Sequence, residues 1–479
     1  MRATLTRRLT ATATAVLLAA LVPAAPLAGA QPPEETGSGP TPPPLGEDRS
    51  TPADDGRPDV KYTPKRDKSC VLSVPSEVEL ATIPWGQDVL RFDELHRFAT
   101  GKGQTIAVID TGVNRHAYLG DRLSGGGDYV VQGGDGLDDC DGHGTQVAGV
   151  IAGNPRDEDI GFRGIAYDAR LVSIRQSSDF FEFKPPNGNE RETREKAGSV
   201  ATLAKAVMNA ARRKVDVINM SVDTCRSADL PMSGAERDLQ RALRYAVEVE
   251  DVVLVSSAGN WPSGQCTQQN NADPDNPRFI VSPPWFAEYV LSVAAVKPDG
   301  NAADFSIHGP WVSVAAPGTE IISLDPGADR LVNETISAEG EPAPIQGTSF
   351  AAPYVAGLAA LVRERFERLG RPLKAKQVMD RIRTTAAHPA AAGGHNSQVG
   401  YGMVNPVAAL TTMIPAEEGI ARDKAIDAPF NMPPPYERDW GPVRVAVIGS
   451  AGGLGLLLLT LFIVHTVRRQ RGNVDRAKD

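Results

Sequence analysis

Between about residues 80 and 412, short apolar runs alternate with longer stretches of mixed character. Thr105-Ile106-Ala107-Val108-Ile109, Val215–Met220, Val252–Ser256 and Val290–Val296 are apolar almost throughout, as strands buried on both faces are. Arg170–Arg175 has the same brevity. Ala201–Arg213, Ala235–Val249 and Ser349–Leu369 are long enough to be helices. The alternation predicts a mostly parallel sheet covered on both faces, an α/β fold. Two polar stretches interrupt it: a charged insert at 179–199 and an Asn-, Pro- and Gln-rich segment at 261–284. Loops of that length are commonly functional or disordered.

Outside this region the pattern changes. Residues 1–30 begin with Arg2, Arg7 and Arg8, continue through the apolar run Ala13–Val22 and end on Ala28-Gly29-Ala30. That order predicts a secretory signal peptide cut after Ala30. Residues 31–79 are rich in Pro, Gly and charge, without apolar periodicity, and predict an extended N-terminal extension rather than a folded domain. Past the 80–412 body, a Pro-rich linker (413–442) leads to a segment at 443–467 whose core, Val445–Val464, carries no charge. About 20 apolar residues span a bilayer as a helix, so one C-terminal transmembrane helix is expected. The tail at 468–479 carries Arg468, Arg469 and Arg471, which places it in the cytoplasm by the positive-inside rule. The body is then expected outside the plasma membrane.

Composition adds exclusions. The net charge is −9, and losing the leader's arginines makes the remainder more acidic, against a nucleic-acid partner. Four cysteines in an oxidising compartment allow three pairings. The pairing that joins chain neighbours, Cys70–Cys140 and Cys225–Cys266, is the one expected. No two cysteines stand at short ligand spacing, so no metal site is expected among them. Asp135, Asp138 and Asp139 form an acidic cluster without a complete calcium-ligand spacing and read as a solvated loop. No cofactor is implied.

Three segments carry candidate chemistry. Val108-Ile109-Asp110-Thr111-Gly112 is an apolar strand ending in an acid and a glycine turn. Carboxyl ends of parallel strands are where catalytic groups gather. Asp141-Gly142-His143-Gly144-Thr145 sets a histidine between glycines at the start of an apolar helix. Gly347-Thr348-Ser349-Phe350-Ala351-Ala352-Pro353 puts a serine at a helix N-terminus, where backbone N–H groups favour developing negative charge. Pro353, in the opening turn, is expected to cost little for its missing N–H.

Together, in the order Asp, His, Ser, these segments resemble the subtilase signatures, and the resemblance extends over residues 80–412. It implies a subtilisin-like three-layer fold and a serine endopeptidase. Ser349 would be the nucleophile, His143 its general base and Asp110 the residue orienting the imidazole. Ser256-Ser257-Ala258-Gly259-Asn260 is similar to the segment bearing the oxyanion-hole asparagine, which implies that role for Asn260. By the same resemblance Ser221, Val222, Ala258 and Gly259 flank the bound polypeptide substrate. Subtilases often have glycine shortly after that serine. Here Val222-Asp223 follow.

The extension lacks the core residues of a folded propeptide, and Cys70 could tie it to the body at Cys140. With the long loops and the C-terminal anchor, this resembles the mycosins, membrane-anchored subtilases associated with type VII secretion systems. That resemblance implies limited proteolysis of secreted substrates. It also implies docking on the secretion membrane complex, with room for a homo-oligomer inside it. A mainly structural role in that complex and a general surface-degrading activity are the alternatives.

Overall fold

The computed structural model describes residues 39–65, 70–71, 81–183, 195–270, 273–336, 341–419 and 440–475. The expected signal peptide, most of the linker and the last residues of the tail lie outside them. Chain contacts divide the protein into two units, Met1–Ile414 and Pro415–Asp479.

The first unit is built on a seven-stranded sheet. Across it, the strands run Val312–Pro317, Leu291–Val296, Val253–Ser257, Val217–Met220, Thr105–Asp110, Arg170–Arg175 and Leu123–Asp128. Every pairing is parallel. The central strands are buried at nearly every position, which is why they read as continuous apolar runs. The helices His143–Ala152 and Thr348–Arg368 pack on each other and on the sheet, as do Val200–Arg212 and Gly234–Glu248. The result is the three-layer architecture that the resemblance implies. Because the strands are parallel, Asp110, Met220 and Ser257 all end at the same edge of the sheet.

Three strands have no marked sequence signal. Leu123–Asp128 is LSGGGD, and its glycines are required by packing: a Cβ at Gly126 would lie 2.6 Å from the Val172 and Ile174 side chains. The 179–199 insert also departs from a plain loop. Ser178–Phe183 and Glu195–Ala197 pair as antiparallel strands. Thr63–Pro64 of the extension adds to their outer edge.

Residues 39–65 lie along the body as an extended strap. Gln240 Nε2 donates to the Pro43 carbonyl at 2.9 Å, and Arg241 pairs with Asp48 at 2.6 Å. Further along, Lys205 pairs with Asp55 at 3.1 Å and Asp59 at 2.8 Å, while Tyr129 Oη donates to Asp54 at 2.8 Å. Such half-exposed ion pairs each contribute little, so the strap depends on their number and on its covalent end. That end is a Cys70–Cys140 disulfide, three residues before His143. A second disulfide, Cys225–Cys266, holds the long loop that begins after Asn260.

The second unit contains the helix Gly441–Asp475. Its stretch Val443–Arg469 is long and apolar enough to cross a membrane.

Candidate active site

Asp110 ends the strand Thr105–Asp110 and is fully buried. Its Oδ1 accepts the Thr111 N–H at 2.7 Å and faces His143 Nδ1 at 2.7 Å. Its Oδ2 is buried without a hydrogen-bond partner among the described residues. A desolvated carboxylate of this kind favours a positive imidazole beside it.

His143 opens its helix after Gly142, whose φ of 77° is a left-handed conformation open to glycine. A Cβ on Gly144 would collide with the Gly112 carbonyl, so glycine there lets the histidine turn sit directly on the Asp110 turn. Burial pushes the imidazole's pKa down. The Asp110 charge and hydrogen bond, with Asp139 and Asp141 behind them, outweigh that and hold it above the ordinary histidine range. The imidazole is 29% exposed, and its Nε2 lies 2.8 Å from Ser349 Oγ. Ser349 is the second residue of the helix Thr348–Arg368 and is 7% exposed. The Phe350 ring packs against the imidazole, with centroids 5.0 Å apart.

Behind this relay is a group that the sequence pattern misjudges. Asp139, expected in a solvated loop, is buried. Its Oδ1 accepts from Thr111 Oγ1 and the Gly142 N–H, both at 2.8 Å. Its Oδ2 accepts the Thr145 N–H at 2.8 Å and Thr145 Oγ1 at 2.6 Å. Thr111 Oγ1 in turn accepts the Gly144 N–H at 2.9 Å. One carboxylate thus joins the Asp110 turn to the His143 helix start. Burial pushes its pKa up to about 6 against the hydrogen bonds that hold it down. Asp138 instead pairs with Arg175 at 3.0 Å, and Asp135 caps its own turn through the Leu137 N–H. Asp141 accepts from Ser178 Oγ at 2.6 Å and the Asp179 N–H at 2.7 Å, fixing the paired insert strands beside the histidine loop.

Asn260 follows the strand Val253–Ser257 through Ala258 and Gly259. Its Oδ1 accepts the Thr348 N–H at 2.9 Å and Thr348 Oγ1 at 3.1 Å. A backbone N–H can only donate, so the asparagine atom facing it is the carbonyl oxygen. The amide's N–H groups are then left for another acceptor. Thr348 Oγ1 also accepts the Gly259 N–H at 3.2 Å. Sequence reasoning passed over Thr348, though it adjoins the serine. Ala258 is buried, and its N–H is bonded to the Val293 carbonyl.

Ser221 lies one residue beyond its strand. Its side chain is turned inward: Oγ donates to the Ser349 carbonyl at 2.7 Å and accepts from Asn219 Nδ2 at 2.8 Å. Val222 packs half-buried on the core. Asp223 receives a long hydrogen bond from Ser257 Oγ at 3.4 Å, and burial pushes its pKa up to about 6. The geometry therefore assembles a carboxylate, an imidazole and a hydroxyl in sequence, beside an oriented amide donor. That set can activate a serine for acyl transfer.

Residues 101–402 match the subtilase family, which makes the chain a serine endopeptidase of the subtilisin class. Mycosin-1 of Mycolicibacterium smegmatis is 41% identical over 424 residues, 85% of this chain and 90% of that protein. The crystal structure of MycP1 from Mycobacterium smegmatis matches with a TM-score of 0.69 and 39% identity, covering 78% of this chain and 96% of that one. A chain in the structure of an intact ESX-5 inner membrane complex matches with a TM-score of 0.69 and 36% identity, covering 87% of this chain and 100% of that one. The protein belongs to the mycosins, within the subtilase family.

Proposed function

We propose that this protein is a membrane-anchored endopeptidase that cuts secreted polypeptides outside the plasma membrane, docked on a type VII secretion membrane complex. The relay carries this reading: Asp110, His143 and Ser349 lie within 2.7 and 2.8 Å of one another in turn. Ser349 Oγ attacks the scissile carbonyl, and His143 Nε2 takes its proton and later delivers it to the leaving amine. Asp110 stabilises the imidazolium through Nδ1. Asn260 donates to the tetrahedral oxyanion, and the Ser349 backbone N–H is its partner at the helix N-terminus. The peptide lies extended between the segments Ser221–Val222 and Ala258–Gly259, pairing through backbone groups.

The apolar helix and the arginines behind it support a topology with the protease unit outside and the tail in the cytoplasm. The secretory leader at 1–30 completes that topology. Docking on the secretion complex rests on the match to a chain of the ESX-5 inner membrane complex and on MycP1, described as an essential component of the type VII (ESX-1) system. The same match favours a second reading that can hold alongside the first, a structural contribution to the complex independent of cleavage.

Incubating wild-type and Ser349→Ala membranes with the secretome and comparing new peptide termini separates the two. Cleavage predicts termini produced only by the wild type, and identical termini would sink the protease role. Retained complex size in Ser349→Ala supports the structural contribution; loss of the complex argues against it.

A further inference from the structure

The hydrogen-bond pattern of the serine helix leaves one group unmatched. In an α-helix each carbonyl accepts from the N–H four residues on. For Ser349 that residue is Pro353, which has no N–H. Proline is harmless only where the N–H would be free, among the first four helical residues. The helix begins at Thr348, so Pro353 is past that point and the expectation that it costs little does not hold.

The missing donor is replaced from the sheet. Ser221 Oγ donates to the Ser349 carbonyl at 2.7 Å, across 128 residues of sequence. Ser221 is 6% exposed, and its hydroxyl is oriented by Asn219 Nδ2 at 2.8 Å from a fully buried strand position. That strand, Val217–Met220, is the immediate neighbour of the strand carrying Asp110, with Ile109 opposite Met220. The acid and the serine are therefore referenced to adjacent strands of one sheet.

We propose that Ser221 is a positioning residue for hydrolysis: its hydroxyl replaces the N–H that Pro353 lacks, and fixes the Ser349 backbone so that Oγ stays within reach of His143. This rests on Ser349 being the nucleophile. It assigns the Ser221 side chain to the enzyme's own backbone, while its main chain remains available to the peptide.

The test uses the full-length protein in detergent, a fluorogenic peptide that the wild type cleaves, and a fluorophosphonate that labels activated serines. Ser221→Ala is expected to lower kcat about tenfold to a hundredfold with KM within about twofold, because a buried acceptor loses its donor. Ser221→Thr, which keeps the hydroxyl, recovers most of the rate and of the labelling. Pro353→Ala supplies the absent N–H, so adding Ser221→Ala in that background costs no more than about threefold. An undiminished kcat in Ser221→Ala, or the same loss with and without Pro353, overturns the proposal. Should Pro353→Ala itself be inactive, labelling decides: Thr and Ala at 221 behaving alike also overturns it. Ser349→Ala serves as the control, since cleavage persisting there refutes the nucleophile assignment rather than the positioning one.

Discussion

Thr348→Val removes one oxygen and preserves shape, and its effects on catalysis and stability can be separated. Thr348 Oγ1 donates to Asn260 Oδ1 at 3.1 Å and accepts the Gly259 N–H at 3.2 Å. The Thr348 N–H keeps its own bond to the same Oδ1 at 2.9 Å, so the amide is loosened rather than released. A neutral hydrogen bond is worth a net ~1 kcal/mol, which converts to about a fivefold fall in kcat if Asn260 acts on the oxyanion. The ceiling is the loss of the whole donor, about 10²–10³ for oxyanion-hole amides. KM should stay nearly constant, because the interaction develops with the tetrahedral intermediate. Separately, Gly259 is left with a buried N–H and no acceptor, costing on the order of 1–3 kcal/mol of stability. Steady-state kinetics on a peptide, together with thermal unfolding, reads both. Thr348→Ser should recover both. The reasoning is refuted if folded Thr348→Val keeps wild-type kcat. It is refuted equally if the substitution costs its full factor in an Asn260→Ala background, where there is no amide left to orient.

Asp223 carries a pH prediction. Burial raises its pKa from 3.8 to about 6, so the folded state holds the proton more tightly than the unfolded state. Its contribution to stability is therefore complete below pH 3.8 and is lost as pH rises through about 6. Asp223→Asn should stabilise the protein at pH 7.5 by at most about 3 kcal/mol, less because the residue is partly exposed, and should leave it unchanged near pH 3. Denaturant melts at the two pH values check this, and equal gains at both would contradict it. The Cys70–Cys140 bond closes a span of 70 residues, worth about 4 kcal/mol of unfolded-state entropy. Cys70→Ser with Cys140→Ser should lower the unfolding midpoint while peptide cleavage persists at low temperature. An unmoved midpoint would mean that the strap's ion pairs alone hold it.

Much of this protein can be read in its sequence, for a physical reason. A strand buried on both faces must be mostly apolar, and a membrane helix must be apolar over about 20 residues. Both therefore leave local patterns, and the central strands and the C-terminal helix fall where those patterns lie. The segments bearing Asp110, His143 and Ser349 are legible for a related reason. Each needs particular small neighbours, such as Gly142 and Gly144, to bring its turn against the next.

Contacts between distant segments leave no such trace. Leu123–Asp128 is a strand because it sits at the sheet edge against Val172 and Ile174, not because its glycines favour one. The acidic residues at 135–139 look alike in sequence, yet only the packing buries Asp139 and lets it join two turns. Asn260 is oriented by a threonine 88 residues away, and the carbonyl that Pro353 leaves open is satisfied by a serine 128 residues away. Periodicity and motif spacing report what a segment needs from its surroundings. Which atom meets that need depends on register and packing, and only the tertiary structure decides it.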